Sequence, residues 1–526
     1  MKGGLEIDII SMSDFNREQI EFILETARNI KKATLNNEST YKGLLNNIKI
    51  ATAFTEISTR TNLSSRTAGF ELGSIVDGFS SGEATSLGKG ESWADTLRML
   101  IGYRNRIIVM RHHLDGSARW ASIVSDMAFE DEKRKCPEDV SRRRTMIVNG
   151  GDGKNQHPTQ CLLDLFTIKE ILGRLDDFDL GLFNDLKYGR TTHSLITIAP
   201  LFKNIRLHLA FPPGFGPEKH YIDFLKRNKV QFFIYDNIFE ALEKVDIAYV
   251  TRFQKERFRD ENERKNIGKN WSITLDLLKK LNIRKNMKIL HPLPIDKEMQ
   301  EIHYSVNNSE YAYYYQQATN GMYVREAIYG LITGKISSTN IPIYHAEKSD
   351  TNIKIIELPV HIHKKELQNP RSGYIDNDGI VIDHIAVNRA RRLAGFLGFE
   401  HNETIPLTLA KCLQSKSGKK DMLKIHTKYE LSERDLLKIA IISPSARISI
   451  IENGKVKRKI SVQLPDKIDN LIYCNNEKCI SNPIYKEGVV CSHYVISTDP
   501  LIIKCLYCEN EMSFETIWNN KLFIYD

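Results

Sequence analysis

The sequence lacks any apolar run long enough to cross a bilayer, and its first residues, MKGGLEIDIISMSDF, contain neither a hydrophobic signal region nor a small-residue cleavage site. Eight cysteines in 526 residues are too few for a disulfide framework. The net charge of +8 is too dilute for a nucleic-acid-binding protein, which concentrates basic residues on one face or arm. These absences predict a cytoplasmic protein that binds neither membrane nor nucleic acid.

Two glycine-rich segments resemble nucleotide-binding loops but do not match them. In GEATSLGKG (82–90), five residues separate the first two glycines where a phosphate-binding loop has four, and Gly90 stands in place of the Ser/Thr that binds the metal. GGDGKNQ (150–156) lacks the third glycine of a dinucleotide-binding fingerprint. Neither segment predicts an ATP or NAD cofactor.

Short apolar segments alternate with helical patterns through residues 1–334. Ser13 or Asp14 is expected to cap the first helix. Because the strand segments are apolar on both faces and helices separate them, they predict two doubly wound parallel-sheet α/β domains. The predicted strands are 49–54, 106–110, 145–148, 179–183, 205–211, 230–235, 245–250 and 287–291.

This alternation stops after residue 334. Residues 335–372 predict a linker with one short strand, and 373–465 predict an α+β domain. The remaining residues, 466–526, predict a small β-rich module, and they contain five of the eight cysteines.

Two close pairs of cysteines in this module have the spacing of a zinc site. They are Cys474-x4-Cys479 and Cys505-x2-Cys508, separated by 25 residues. Four thiolates suit a closed tetrahedral site, which would stabilise a module too small to depend on its core. Cys491 and His493 lie between the pairs and are expected to be spare.

Polar residues follow several strands, at the edge where ligands bind open α/β sheets. Ser58, Thr59, Arg60 and Thr61 come between the first strand and a helical pattern. Hydroxyls, a guanidinium and the N–H groups of a helix start together form a phosphate cradle, although a simple helix cap beside a surface arginine is the alternative. Arg111 ends the second strand and is, alone, typical of a surface ion pair.

The third strand leads through a glycine-rich turn to His157 and Gln160, with Pro158 in the first turn of a helix. A neutral imidazole there can polarise a carbonyl oxygen, although a lone histidine before proline is more often a structural cap. Arg190, Arg252, Gln254 and HPLP (291–294) follow later strands. Four arginines at four strand ends predict a pocket for a small, multiply anionic substrate.

Together these motifs resemble the aspartate carbamoyltransferase family. Residues 48–334 resemble its catalytic chain and 373–526 its regulatory chain, so two chains that are usually separate are fused here. The catalytic motifs are STRT (58–61), TSLGKGES (85–92), VMRH (109–112), GDGKNQHPTQCLLDLFTI (151–168), DLKYGRTTHSL (185–195), TRFQKER (251–257) and HPLP (291–294). The regulatory motifs are VIDHI (381–385), GKKDMLKI (418–425), LPDKIDN (464–470) and the four paired cysteines.

The resemblance implies transfer of the carbamoyl group of carbamoyl phosphate to the amino group of L-aspartate, in pyrimidine biosynthesis. The residues implied to hold the phosphate are Ser58, Thr59, Arg60, Thr61 and Arg111, and Arg60 would also stabilise the leaving phosphate. Thr61, Arg111 and His157 would bind the carbonyl oxygen, and Gln160 the carbamoyl amino group. Arg190, Arg252, Gln254 and the backbone carbonyls of Pro292 and Leu293 would bind aspartate.

The family's sites are completed by a loop from a neighbouring subunit, which Ser86 and Lys89 match. Ser86 would then contact carbamoyl phosphate, and Lys89 would act in aspartate binding and catalysis. This implies a homotrimer of catalytic regions, dimerised to a hexamer through the regulatory regions. Glu56 matches a residue that links the two catalytic domains through Arg190 and Arg257, which predicts closure over the substrates.

In the regulatory part, the positions that match nucleotide contacts are Asp383, His384, Lys420, Lys424 and Lys459. They imply ATP, CTP or UTP as effectors. The four cysteines imply one structural zinc ion per chain.

The resemblance also implies a division into domains. A carbamoyl-phosphate-binding domain would comprise 1–157 and 318–334, and an aspartate-binding domain 158–317. The linker (335–372), a nucleotide-binding regulatory domain (373–465) and a zinc domain (466–526) would follow.

Two other functions fit parts of this pattern. An ornithine carbamoyltransferase shares STRT and HPTQ, but that family usually has HCLP where this chain has HPLP. TRFQKER also suits a second carboxylate better than a cationic side chain. The other alternative is a zinc-containing regulatory protein on an inactive carbamoyltransferase scaffold, which the complete set of pocket residues disfavours.

Overall fold

The computed structural model describes residues 7–255, 271–337, 350–360, 375–399, 404–415 and 418–524. Within these ranges, no helix is both long and apolar enough to cross a membrane. The chain forms two compact units, Met1–His345 with Lys478–Val489 and Ala346–Glu477 with Val490–Asp526.

The first unit contains two parallel sheets with helices between the strands, as the sequence predicts. One sheet has the order β2-β1-β3-β4 and the other β7-β6-β5-β8-β9. The strands are β1 (Lys49–Phe54), β2 (Ile75–Phe79), β3 (Ile107–His112), β4 (Met146–Asp152), β5 (Asp179–Phe183), β6 (Arg206–Ala210), β7 (Gln231–Tyr235), β8 (Ile247–Val250) and β9 (Lys288–Leu290). The helices are α1 (Arg17–Leu35), α2 (Thr59–Glu71), α3 (Trp93–Gly102), α4 (Ser117–Lys135), α5 (Pro158–Leu172), α6 (Arg190–Ile198), α7 (Lys219–Arg227), α8 (Ile238–Leu242), α9 (Leu275–Lys280) and α10 (Tyr314–Ile332).

Two local predictions for this unit were wrong. The cap of α1 is Asn16, whose side chain accepts from the backbone N–H of Gln19, whereas Ser11 caps a short 3-10 turn that includes Ser13 and Asp14. Strand β2 was not predicted because Asp77 and Gly78 interrupt its apolar residues. The edge strand β7 is equally exposed, but its continuous apolar run allowed it to be predicted.

The core of the first unit is built from the central strands and the helices that cover them. Ile50, Val109 and Val148 from three neighbouring strands are fully buried in one cluster. The long helix α10 packs against α1, α2 and α5. Residues near the end of the catalytic sequence, such as Val324 and Ile328, therefore belong to the same core cluster. This packing fixes the strand ends from which the polar side chains extend.

The second unit contains two antiparallel sheets, with the orders β10-β15-β14-β11-β13-β12 and β16-β17-β18-β19. The predicted strand of the linker is β10, which pairs with β15 at one edge of the larger sheet. The strands are β10 (Lys354–Glu357), β11 (Gly379–Ile385), β12 (Leu407–Ser415), β13 (Gly418–Ile425), β14 (Arg447–Glu452), β15 (Lys455–Gln463), β16 (Lys467–Asp469), β17 (Ser492–Thr498), β18 (Leu501–Cys505) and β19 (Glu511–Ser513). The helices are α11 (Ala390–Phe396), α12 (Glu433–Ile442) and α13 (Phe514–Asn519).

Candidate active site

A cavity of about 560 Å³ in the first unit brings together side chains that are far apart in sequence. It includes all the predicted strand-end arginines. The predicted residues that line it are Ser58, Thr59, Arg60, Thr61, Arg111, His157, Gln160, Arg190, Arg252, Gln254, Pro292 and Leu293. They come from loops and helix starts after strands of both parallel sheets, which is where such sheets bind ligands.

One wall of the cavity is the start of α2. Ser58 is the residue before its first turn, yet the Ser58 side chain makes no capping hydrogen bond, so the simple cap interpretation does not describe it. The helix begins at Thr59 with no acidic residue in its first turn. Unpaired N–H groups and the positive end of the helix dipole therefore face the cavity beside Arg60, an arrangement that attracts an anion.

Glu56 lies between an arginine of the first parallel sheet and an arginine at the start of a helix that follows β5 of the second. Its Oε2 is 3.1 Å from Nε of Arg111, the next-to-last residue of β3, and 3.1 Å from Nη1 of Arg190, which begins α6. The predicted ion pair between Glu56 and Arg190 is thus confirmed, whereas Arg257 lies outside the described residues. Carbonyl groups hold the same guanidiniums: Arg111 donates to Gly150 O (3.2 Å) and Arg190 to Gly153 O (2.7 Å).

His157 and Gln160 lie at the start of α5. His157 is 4% exposed, and burial together with nearby arginines lowers its pKa well below the usual range, so the imidazole is neutral near pH 7. Gln160 Nε2 donates to Asp164 Oδ1 at 2.9 Å. This bond fixes the orientation of the amide, and the amide oxygen of Gln160 can then accept from a ligand. Burial raises the pKa of Asp164 to about 7.

The opposite wall consists of residues after β8 and β9. Gln254 Nε2 donates to the carbonyl oxygen of Tyr188 at 2.6 Å, which ties it to the loop that precedes Arg190. Leu293 N–H donates to His291 Nδ1 at 2.8 Å and so fixes the HPLP turn. Arg252 lines the same wall. The residues after β8 and β9 thus add the Arg252 cation and the Gln254 amide to the lining of the cavity.

Some cavity residues were not predicted, and Arg325 is the clearest. It lies in the middle of α10, is 2% exposed, and lines the cavity. No strand-end pattern marks it, because a charged residue within a helical pattern is usually on the surface. Conversely, the predicted residues Ser86 and Lys89 lie on a 3-10 turn, Ser86–Lys89, and do not line this cavity.

The cavity is strongly cationic. Among the described residues that line it, five are arginines and Glu56 is the one acid. In a partly desolvated site, such an excess of positive charge selects a ligand with several negative charges. The arrangement can therefore hold a phosphate at α2, polarise a carbonyl at His157, and bind carboxylates at the opposite wall.

The predicted nucleotide residues share one face of the larger antiparallel sheet. Lys424, Val381, Ser449 and Lys459 are directly opposite one another on four adjacent strands. Residues opposite each other on a sheet point to the same side. Asp383, two residues from Val381, lies on this face too, and its carboxylate is 2.6 Å from Lys420 Nζ and 3.0 Å from His384 Nδ1.

The four paired cysteines converge. The sulfur atoms of Cys474, Cys479, Cys505 and Cys508 all lie within 4.8 Å of one another and are buried. Cys491 and His493 are also buried but are not members of this group. Four converging thiols without a disulfide between them form a donor set for a metal ion.

Family models match four consecutive parts of the chain. They are the carbamoyl-phosphate-binding domain (8–170) and the Asp/Orn-binding domain (176–332) of aspartate/ornithine carbamoyltransferases, and the allosteric (375–463) and metal-binding (466–518) domains of the aspartate carbamoyltransferase regulatory chain.

Related proteins and solved structures match the first part. The aspartate carbamoyltransferase catalytic subunit of Thermococcus kodakarensis is 39% identical over 330 residues, which is 62% of this chain and 97% of that protein. The catalytic subunit of M. jannaschii aspartate transcarbamoylase has 38% identity and a TM-score of 0.53, and covers 62% of this chain and 98% of its own. The Trypanosoma cruzi enzyme in complex with carbamoyl phosphate and aspartate has 28% identity and a TM-score of 0.54. That match covers 63% of this chain and 97% of the T. cruzi chain.

Proposed function

The chain belongs to the aspartate carbamoyltransferase family, and from this premise we propose that it transfers the carbamoyl group of carbamoyl phosphate to L-aspartate. The products are N-carbamoyl-L-aspartate and phosphate, in de novo pyrimidine biosynthesis. The observation that carries the proposal is the composition of the cavity. The start of α2 with Arg60, the neutral imidazole of His157, and the guanidiniums of Arg190 and Arg252 all line it. These are the groups that a phosphate, a carbonyl and two carboxylates require.

Carbamoyl phosphate binds at the α2 wall in this proposal. The hydroxyls of Ser58, Thr59 and Thr61, the helix N–H groups, and Arg60 and Arg111 hold the phosphate. Thr61, Arg111 and His157 stabilise the negative charge that develops on the carbonyl oxygen as the tetrahedral intermediate forms. Gln160 accepts from the carbamoyl amino group.

Aspartate binds at the opposite wall through Arg190, Arg252 and Gln254, with the backbone carbonyls of Pro292 and Leu293 facing the amine. Its amino nitrogen attacks the carbamoyl carbon directly, so no side chain acts as a nucleophile. The C–O bond to phosphate then breaks, the attacking nitrogen gives its proton to the departing phosphate, and Arg60 stabilises the phosphate that leaves with the electron pair. Positioning and electrostatic stabilisation therefore account for the rate.

We assign residues 1–157 with 318–334 to carbamoyl-phosphate binding and 158–317 to aspartate binding. Ser86 and Lys89, which lie away from the cavity of their own chain, would act in a neighbouring subunit. This requires a trimer of catalytic regions, which the regulatory regions would join into a hexamer. The linker comprises 335–372.

Regulation by ATP, CTP or UTP would act through the regulatory domain, 373–465. Three lysines on one sheet face, Lys420, Lys424 and Lys459, support this assignment because a triphosphate needs several cations. Asp383 and His384 would complete the site.

The zinc domain, 466–526, would bind one zinc ion per chain. Zinc bound tetrahedrally at about 2.3 Å from each sulfur places the sulfurs about 3.8 Å apart. The sulfurs of Cys474 and Cys508 are 3.5 Å apart and all four are within 4.8 Å, so the donor set fits. The ion would cross-link strands of a small module. Because thiolate ligands must stay reduced, we place the protein in the cytoplasm.

Assay of the purified chain with carbamoyl phosphate and either L-aspartate or L-ornithine tests the activity. We expect turnover with aspartate and none with ornithine. Replacing Arg60 by alanine should lower kcat by about 100- to 1,000-fold, as loss of one oxyanion-stabilising donor does elsewhere. Arg28→Ala, which removes an arginine on the exposed face of α1, is the matched control and should have no effect.

Two outcomes would support the alternatives. Turnover with ornithine alone would identify an ornithine carbamoyltransferase. An Arg60→Ala variant with the same low rate as the unmodified chain would indicate an inactive scaffold that has kept the shape of the site.

A further inference from the structure

A buried hydroxyl lies behind the imidazole of His157. Thr159 is 0% exposed, and its Oγ1 lies 3.4 Å from His157 Nδ1 and 3.2 Å from Arg325 Nη2. Among the described residues, these two are its hydrogen-bond partners. The residue is fully buried, so its hydroxyl is shielded from bulk water.

Satisfying every polar hydrogen favours one direction for the two hydrogen bonds. A guanidinium has only N–H donors, so the Thr159 oxygen accepts from Arg325. If Nδ1 of His157 carried a hydrogen, the buried hydroxyl hydrogen of Thr159 would have no partner among the described residues, so we take the hydroxyl to donate to Nδ1. A neutral imidazole carries one N–H, so when Nδ1 accepts, the hydrogen is on Nε2.

Arg325 is held in place by a second hydrogen bond and stays charged, so it can only donate to Thr159. Its Nη1 donates to the carbonyl oxygen of Gly321 one turn earlier on α10, at 2.9 Å. Burial lowers the pKa of Arg325 only to about 10, so it stays a cation and a pure donor at neutral pH. Helix α10 packs against α5, the helix that carries Thr159.

We propose that Thr159, oriented by Arg325, is a positioning residue that keeps His157 in the tautomer with its proton on Nε2. Nδ1 of His157 accepts a hydrogen bond from Thr159. Because His157 lines the cavity, Nε2 is the ring nitrogen that can bind a ligand there. On the proposed function, on which this inference rests, Nε2–H donates to the carbamoyl oxygen. The other tautomer would present a lone pair to an oxygen that is gaining negative charge, which is repulsive.

Replacing Thr159 by valine tests this, because valine keeps the shape and removes the hydroxyl. We expect kcat to fall by about 10- to 100-fold, with KM for both substrates changed by less than about twofold, since the donor matters most in the transition state. Thr159→Ser keeps the hydroxyl and should restore most of kcat. Thr167→Val is the matched control: it removes a fully buried hydroxyl from the same helix, bonded to Leu163 O at 2.7 Å, and should leave kcat unchanged.

A double-mutant cycle separates positioning from general stability. In a His157→Gln background the donor is an amide with no tautomers, so Thr159→Val should add less than about a twofold further loss. An equal loss in both backgrounds, or a Thr159→Val variant with full kcat, would overturn the inference while leaving the carbamoyltransferase activity intact. Absence of turnover with aspartate in the unmodified chain would instead overturn the proposed function and this inference with it.

Discussion

The arginine-lined cavity and the cysteine cluster are both polar sites, but different parts of the structure hold them in place. The cavity lies at the ends of strands in two parallel sheets whose central residues, such as Ile50 and Val109, are fully buried. The cysteines lie in a module with strands of three to seven residues. A large apolar core can hold like charges close together, whereas a small module depends on bonds between its ligands and a metal.

The comparison also shows how each site balances its charges. In the cavity, Glu56 lies between Arg111 and Arg190, and backbone carbonyls accept from both guanidiniums. In the cluster, the four buried sulfurs converge on one another, and Cys479 Sγ lies 3.2 Å from Ser481 Oγ. The cavity therefore places a carboxylate of its own between two of its cations, whereas the cluster is a donor set suited to a metal cation.

Removing the metal should give the largest effect. Structural zinc contributes about 10 kcal/mol or more to folding in small domains, so a chelator or Cys505→Ser should unfold the module over 466–526. We expect protease cleavage within those residues, and loss of bound zinc by elemental analysis. Cys491→Ser, a buried cysteine outside the group, should retain about one zinc per chain.

Activity measured on the same samples tests whether the two sites are held independently. Every described residue that lines the cavity precedes residue 326, so we expect part of the carbamoyltransferase activity to survive loss of the metal. A partial loss is expected because Lys478–Val489 packs within the first unit. Complete loss of activity would show that the cavity also depends on the metal-bound module.

The same contrast explains how much could be predicted from sequence. The parallel strands and the four cysteines were predicted because each has a local signature: a run apolar on both faces, or two close thiol pairs. Arg325 and Thr159 were not assigned a role because their function arises from packing of α10 on α5, between residues 166 positions apart. Strand β2 was missed because Asp77 and Gly78 interrupt its apolar residues, whereas the equally exposed edge strand β7 has an unbroken apolar run.

Neutralising Glu56 should have an intermediate effect. Glu56→Gln keeps the shape of the side chain but removes the negative charge that lies between Arg111 and Arg190, which are 12% and 9% exposed. The two guanidiniums should move apart, which would raise KM for aspartate and lower kcat by about tenfold or more. Initial-rate measurements over both substrates would separate the two effects.

The control for this variant is Glu25→Gln, which removes an exposed carboxylate 3.0 Å from Arg28 on α1 and should change neither constant. Bound zinc should be unchanged in both. Unaltered kinetics in Glu56→Gln would mean that backbone carbonyls alone position the two arginines, and that the cavity needs no internal counter-charge.

The smallest effect is expected where a similar charge arrangement occurs in the second unit. Asp383 lies between Lys420 and His384 as Glu56 lies between two arginines, but on an open sheet face rather than in a cavity.

Lys420→Met should leave activity without nucleotides within about twofold of the unmodified chain. It should weaken any shift of the aspartate saturation curve by ATP, CTP or UTP several-fold, since typical coupling between sites is about 5- to 150-fold. Lys419→Met, on the neighbouring residue and hence the opposite face, should retain the full shift. A nucleotide response equal in all three proteins would place the effector site away from Asp383, and would mean that this ion pair, unlike that of Glu56, only stabilises the sheet.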